Sequence, residues 1–145
     1  MADKTATVHW EGQGKKGVGR ISTQTEALKS YPYGFASRFE DDRRGTNPEE
    51  LIAAAHAACF TMAFSFACDA AGLATTSVDT QASVRLVMKD GGFLISHIDL
   101  NLEATVPGVD EATFQKLAAG AKKDCPLSKA LAGVPEISLT AVLKK

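Results

Sequence analysis

The chain has 145 residues, of which 45% are hydrophobic and 23% charged, with a formal net charge of −1. That composition suits one folded domain, residues 1–145, and excludes a disordered or fibrous protein. The near-zero charge lacks the basic excess of a nucleic-acid binder, and three scattered cysteines are too few for a secreted disulfide scaffold, so a reducing cytoplasmic setting is expected.

Met1–Ala6 holds no apolar run, so no secretory leader is expected. Thr5–Trp10 alternates, with Ala6, Val8 and Trp10 on one face, and predicts a strand. Gly12, Gly14 and Gly17 predict a turn, and Val18–Glu26 a returning strand. Ser30–Arg38, which contains Pro32 and Gly34, reads as irregular or as a short strand, and Asp41–Gly45 as a polar turn. A long helix follows. Asn47 can cap it, Pro48 suits its first position, and Glu49 and Glu50 suit the positive end of its dipole. The spacing carries it to about Ala71, where Gly72 ends it.

Leu51–Cys68 holds no charged residue and nearly matches a membrane span in length. Its alanines, its His56, Thr61 and Ser65, and its acidic flanks Glu49, Glu50 and Asp69 argue instead for a buried helix and no membrane association.

Two strands come next. Val78, Thr80, Ala82, Val84, Leu86 and Met88 share one face of the first. Asp90-Gly91-Gly92 makes a hairpin turn, and Leu94, Ser96, Ile98, Leu100, Leu102, Ala104 and Val106 line the second. Asp110–Lys123 predicts a second helix through Phe114, Leu117 and Ala121. Cys125-Pro126 opens a short helix that ends near Gly133, and Ile137, Leu139, Ala141 and Leu143 mark a last strand. The expected fold class is α+β, an antiparallel sheet packed on one long buried central helix. That helix would be roughly 36 Å long, against an expected radius of gyration of about 15 Å. One small sheet cannot cover it, so a homodimer is expected from burial alone.

Cys59 sits mid-helix in apolar surroundings, where a buried core cysteine is the ordinary reading. Cys125 stands before Pro126 at a helix start, near Lys122, Lys123 and Lys129, and reads as the more acidic thiol. Cys68 follows Cys59 by nine residues, faces the other side of the helix and reads as structural. His56 and Cys59 share a face, but there is no CxxC or HxxxH partner for them, so no metal site is expected. His56 as a base for Cys59 competes with a hydrogen-bonded core histidine.

Gly45-Thr46-Asn47-Pro48-Glu49-Glu50-Leu51-Ile52-Ala53-Ala54-Ala55-His56-Ala57-Ala58-Cys59-Phe60 and Cys125-Pro126-Leu127-Ser128-Lys129-Ala130-Leu131 together resemble the two signatures of the OsmC/organic hydroperoxide resistance family. Trp10-Glu11-Gly12 and Pro32-Tyr33-Gly34-Phe35 resemble its OsmC branch, and the match runs through the whole chain in order.

The resemblance implies an OsmC-like fold, an intertwined homodimer with active sites at the subunit interface, and thiol-dependent reduction of organic hydroperoxides. It makes Cys59 peroxidatic and Cys125 resolving, against the residue-level preference for Cys125. It implies an arginine that stabilises the Cys59 thiolate and a glutamate, matched by Glu49, that holds the arginine. Arg38 is the favoured arginine, with Arg20 of the Gly19-Arg20 pair as the alternative. Tyr33, Phe60 and Phe64 would line an apolar substrate pocket, although they also suit plain core packing. A dithiol, of lipoyl type in some members, restores the thiols, with no metal, haem or flavin. A stress or hydrophobic-ligand-binding protein with this fold and little turnover is the alternative. Retention of both cysteines, an arginine and Glu49 argues against it. A redox sensor would need a recognition module, and no residues are left over for one.

Overall fold

Six strands and four α-helices form in the computed structural model, which describes residues 1–145. The chain clusters into two units, Met1–Leu51 and Ile52–Lys145.

The first unit is an antiparallel sheet of β1 (Ala6–Glu11), β2 (Val18–Thr23) and β3 (Tyr31–Gly34), in that order. Glycine allows aromatic rings to lie across its middle strand. A Cβ on Gly19 would fall 2.0 Å from the Tyr33 ring, and one on Gly17 2.4 Å from the Trp10 ring. Trp10 and Tyr33 meet at 5.5 Å between centroids. The stretch read as irregular divides into β3 and a one-turn helix, α1 (Phe35–Phe39).

The long helix is α2 (Pro48–Ala70), with its predicted ends. Asn47 Oδ1 accepts the Glu50 amide at 2.8 Å. At the other end Gly72 takes φ 73°, and the Leu73 and Gly72 amides close onto the carbonyls of Cys68 and Asp69, each at 2.9 Å.

In the second unit, β4 (Ser77–Lys89) and β5 (Gly92–Thr105) form the hairpin, turning at Asp90-Gly91, where both residues have positive φ. α3 (Glu111–Asp124) and α4 (Pro126–Ala130) then carry the chain to β6 (Glu136–Leu143). That helical crossover returns β6 parallel to β5, so this sheet is mixed, not purely antiparallel as expected, and the chain has two sheets instead of one. A bulge also departs from the sequence reading. Arg85 pairs with His97 but Leu86 pairs with Ile95, so Ser96 is the extra residue. The slip reverses the faces beyond it, and Ile95 rather than Leu94 packs on the core.

That core joins Phe60, Phe64 and Cys68 of α2, Ile98, Leu100, Leu102 and Ala104 of β5, and Phe114, Ala118 and Ala121 of α3. Phe64 meets Phe114 edge-on at 5.6 Å. The helix expected to be buried all round is buried along one stripe, at His56, Phe60, Phe64 and Cys68. A second stripe, Ala54, Ala58, Met62 and Phe66, is exposed in the single chain, with Phe66 at 66%. By length and composition α2 could cross a membrane, and its buried stripe packs in the core of the second unit.

Candidate active site

Two constellations of polar and sulfur groups arise, one in each unit. In the first, the turn before α2 is tied to α1. Ser37 Oγ donates to the Thr46 carbonyl at 2.7 Å, and Asn47 Nδ2 donates to the Ser37 carbonyl at 3.1 Å. The Thr46 amide donates to the Pro32 carbonyl at 2.9 Å. These ties bring the end of α1 beside the first turn of α2. Arg38 Nε then donates to Glu49 Oε2 at 3.1 Å, and Arg38 Nη2 to Glu49 Oε1 at 2.6 Å. The Glu49 side chain is 11% exposed and that of Arg38 34%. Hydrogen bonding to Glu49 raises the Arg38 pKa against the effect of burial, and the carboxylate charge adds to it. The guanidinium is a fixed cation with its outer edge still open.

Arg20 lies elsewhere on this unit. It sits on β2, exposed, and its contact with the Ser30 carbonyl is long at 3.5 Å. The structure therefore pairs Glu49 with Arg38 and not with Arg20. Tyr33 is half-buried on β3. It lines a cavity of about 410 Å³ with Lys15, Arg20, Phe35, Arg44 and Gly45.

The second constellation holds the cysteines. Cys125 is pinned between two helices. Its amide donates to the Ala121 carbonyl at 2.9 Å, closing α3, and its own carbonyl accepts the Lys129 amide at 3.1 Å as α4 begins. Pro126 at the first position of α4 has no N–H to lose. Cys125 is wholly buried and Cys59 partly so, and the two thiols lie near enough to perturb each other's acidity. Burial acts to raise the Cys125 pKa. The Ser128 amide, the Cys59 thiol, the Ser128 hydroxyl and the Leu127 amide outweigh it, so Cys125 falls below its ordinary value. Cys59 moves the other way: burial raises it, the Leu127 amide opposes, and the neighbouring Cys125 raises it further. The two opposite shifts make Cys125 the more acidic thiol of the pair, the order read from the residues.

Cys68 is wholly buried and its pKa raised by burial, as befits a core residue. Phe60 and Phe64 are also wholly buried in the core, the packing role the sequence allowed them. His56 is a hydrogen-bonded core histidine, the alternative weighed against a base for Cys59. Its Nε2 lies 2.8 Å from Ser128 Oγ. Ser128 was not singled out from the sequence. The signal was present in Cys125-Pro126-Leu127-Ser128, since the third residue of a helix faces its N-cap.

The fold and a facing cysteine pair define a thiol-redox class of protein. Residues 40–140 match the family model described as OsmC-like protein, and the chain belongs to that family. It is 49% identical over 141 residues to Peroxiredoxin OsmC of Escherichia coli, covering 97% of this chain and 96% of that protein. It is 33% identical over 118 residues to the organic hydroperoxide resistance protein OhrB of Bacillus subtilis, covering 81% and 85%. The crystal structure of Bacillus subtilis OhrB superposes with a TM-score of 0.69 at 28% identity, over 97% of this chain and 98% of that one.

Proposed function

We propose that this protein is a thiol-dependent peroxidase that reduces organic hydroperoxides to alcohols in stress defence, with Cys59 as the nucleophile. The observation that carries the mechanism is the closeness of Cys59 and Cys125, which pack in one core cluster and shift each other's acidity. Two thiols so close can exchange a sulfenic acid for a disulfide without large movement. The peroxidase relatives in two branches of the family support the activity.

The Cys59 thiolate attacks the distal peroxide oxygen. The O–O bond breaks, the alkoxide leaves as alcohol with a proton, and Cys59 becomes a sulfenic acid. The Cys125 sulfur then attacks Cys59. The S–O bond breaks, hydroxide leaves as water, and a disulfide forms. A dithiol, possessing two electrons and two protons to give, restores both thiols. A lipoyl-type donor fits that requirement.

Arg38 is the cation assigned to Cys59 in this reading, and Glu49 the residue that aims it. Its support is the bidentate pair with an open outer edge. A guanidinium beside Cys59 reverses the order of the two thiols and makes Cys59 the thiolate when substrate arrives. Of the aromatic residues, Tyr33 is the one left half-buried, where its ring can favour an organic peroxide, while Phe60 and Phe64 support the site from the core. A homodimer completes the reading. Met62 and Phe66 on α2 and Val8 on β1 are large apolar side chains more than half exposed in the single chain, and a second copy would cover them. Each active site then draws residues from both chains, in a cytoplasmic setting.

Steady-state turnover of an alkyl hydroperoxide with a dithiol donor tests the assignment. Cys59→Ser should abolish it and Cys68→Ser should leave most of it. Near-native turnover in Cys59→Ser would sink the mechanism.

A further inference from the structure

His56 is a wholly buried titratable group that the peroxidase cycle does not use. It makes one side-chain hydrogen bond, to Ser128, and its Nδ1 is buried without a partner. Burial lowers its pKa, so the ring is neutral near pH 7. A neutral imidazole carries one proton, and its position follows from the partners. A proton on Nδ1 would bury an unpaired N–H, which folded proteins rarely tolerate. A proton on Nε2 leaves only a lone pair at Nδ1 and gives Ser128 Oγ a donor. Ser128 has one hydroxyl proton. With its oxygen accepting from His56, that proton is free to point at the neighbouring sulfur of Cys125, and the Ser128 hydroxyl does lower the Cys125 pKa.

We propose that His56 and Ser128 are a positioning pair for the resolving cysteine: His56 Nε2–H donates to Ser128 Oγ, and this turns the Ser128 hydroxyl proton onto the Cys125 sulfur. The pair does no acid–base chemistry and touches no substrate. It favours the thiolate of Cys125, the form that attacks the sulfenic acid. The inference rests on the peroxidase reading for the meaning of "resolving", and adds to it a second, opposing pull on the charge of the cysteine pair. Arg38 draws negative charge toward Cys59 for the first step, and Ser128 draws it toward Cys125 for the second. The groups that act on Cys125 are Cys59 from α2 and Ser128 and the Leu127 amide from α4, and His56 reaches it only through Ser128.

The acidity of Cys125 can be measured without turnover, so it is decided separately from the peroxidase reading. In a Cys59→Ser, Cys68→Ser background Cys125 is the only thiol, and its thiolate is followed by ultraviolet absorbance against pH. Ser128→Ala should raise the Cys125 pKa by about one unit, the loss of one hydrogen bond to a charged acceptor. His56→Phe, which keeps a ring but no donor, should raise it in the same direction by less. Ser128→Thr, which keeps the hydroxyl, should restore it. In the otherwise native chain given one equivalent of an alkyl hydroperoxide, Ser128→Ala should leave Cys59 oxidation within about twofold of native. Disulfide formation should slow about tenfold, matching one unit of pKa, and sulfinic acid should accumulate on Cys59. An unchanged Cys125 pKa in Ser128→Ala, or a failure of Ser128→Thr to restore it, would overturn the proposal. So would a loss of Cys59 oxidation equal to the loss of disulfide formation.

Discussion

Arg38 and Glu49 meet in two parallel hydrogen bonds, at 3.1 and 2.6 Å, although 11 residues separate them in the chain. The pair exists because Ser37 and Asn47 tie α1 to the head of α2. It leaves the guanidinium fixed in direction yet open on one side, as a thiolate partner must be.

Arg38→Ala should therefore lower kcat/KM for an alkyl hydroperoxide by about tenfold or more, since each unit by which the Cys59 pKa rises costs ~1.4 kcal/mol. Glu49→Gln should cost less, because the arginine stays but loses its aim. Arg20→Ala, exposed and weakly bonded, should cost least. A larger loss for Arg20→Ala than for Arg38→Ala would reassign the cation. Rates measured over a pH series would show whether the loss tracks thiol ionisation.

Assembly should be tied to activity. Phe66→Glu puts a charge on the exposed stripe of α2, and is expected to give a monomer with little turnover. The native chain should remain dimeric on dilution, with an interface larger than about 2,000 Å². Light scattering through a dilution series, run beside the peroxidase assay, checks both. A fully active native monomer would show that the stripe is not an interface.

The core makes a stability prediction. Phe64 is wholly buried and edge-on to Phe114. Phe64→Ala should cost about 3–5 kcal/mol in urea unfolding, from lost transfer energy and the cavity left behind. Asn47→Ala, which removes the cap on the Glu50 amide, should cost about 1 kcal/mol.

Acid should weaken one exposed turn. Arg44 holds the Asp42 carboxyl down to about 2 from its ordinary 3.8. The folded chain thus binds this proton less readily than the unfolded one. Its contribution is present above pH ~4 and is lost as the pH falls from ~4 toward ~2. Solvent screens the pair, so the effect is small and salt should shrink it. The unfolding midpoint of Asp42→Asn should fall less than the native one between neutral pH and pH ~2.5.

Most elements were legible in the sequence because their signals are local. Asn47, Pro48 and Gly72 define the ends of α2, and Asp90-Gly91 closes the hairpin, through caps and turn dihedrals that depend on a few neighbouring residues. Cys59 and Cys125 could be singled out from their two motifs. Other features depended on residues far apart in the chain. The slip at Ser96 and the parallel placement of β6 follow from what each strand meets across the sheet, which alternation alone does not report. Arg38 and Arg20 both stood near suitable motifs, and only the tie between α1 and α2 decided which one Glu49 holds. His56 and Ser128 are 72 residues apart. Their hydrogen bond, and with it the environment of Cys125, exists only once α4 has folded back onto α2, because a hydrogen bond is decided by distance and direction in space and not by separation in sequence.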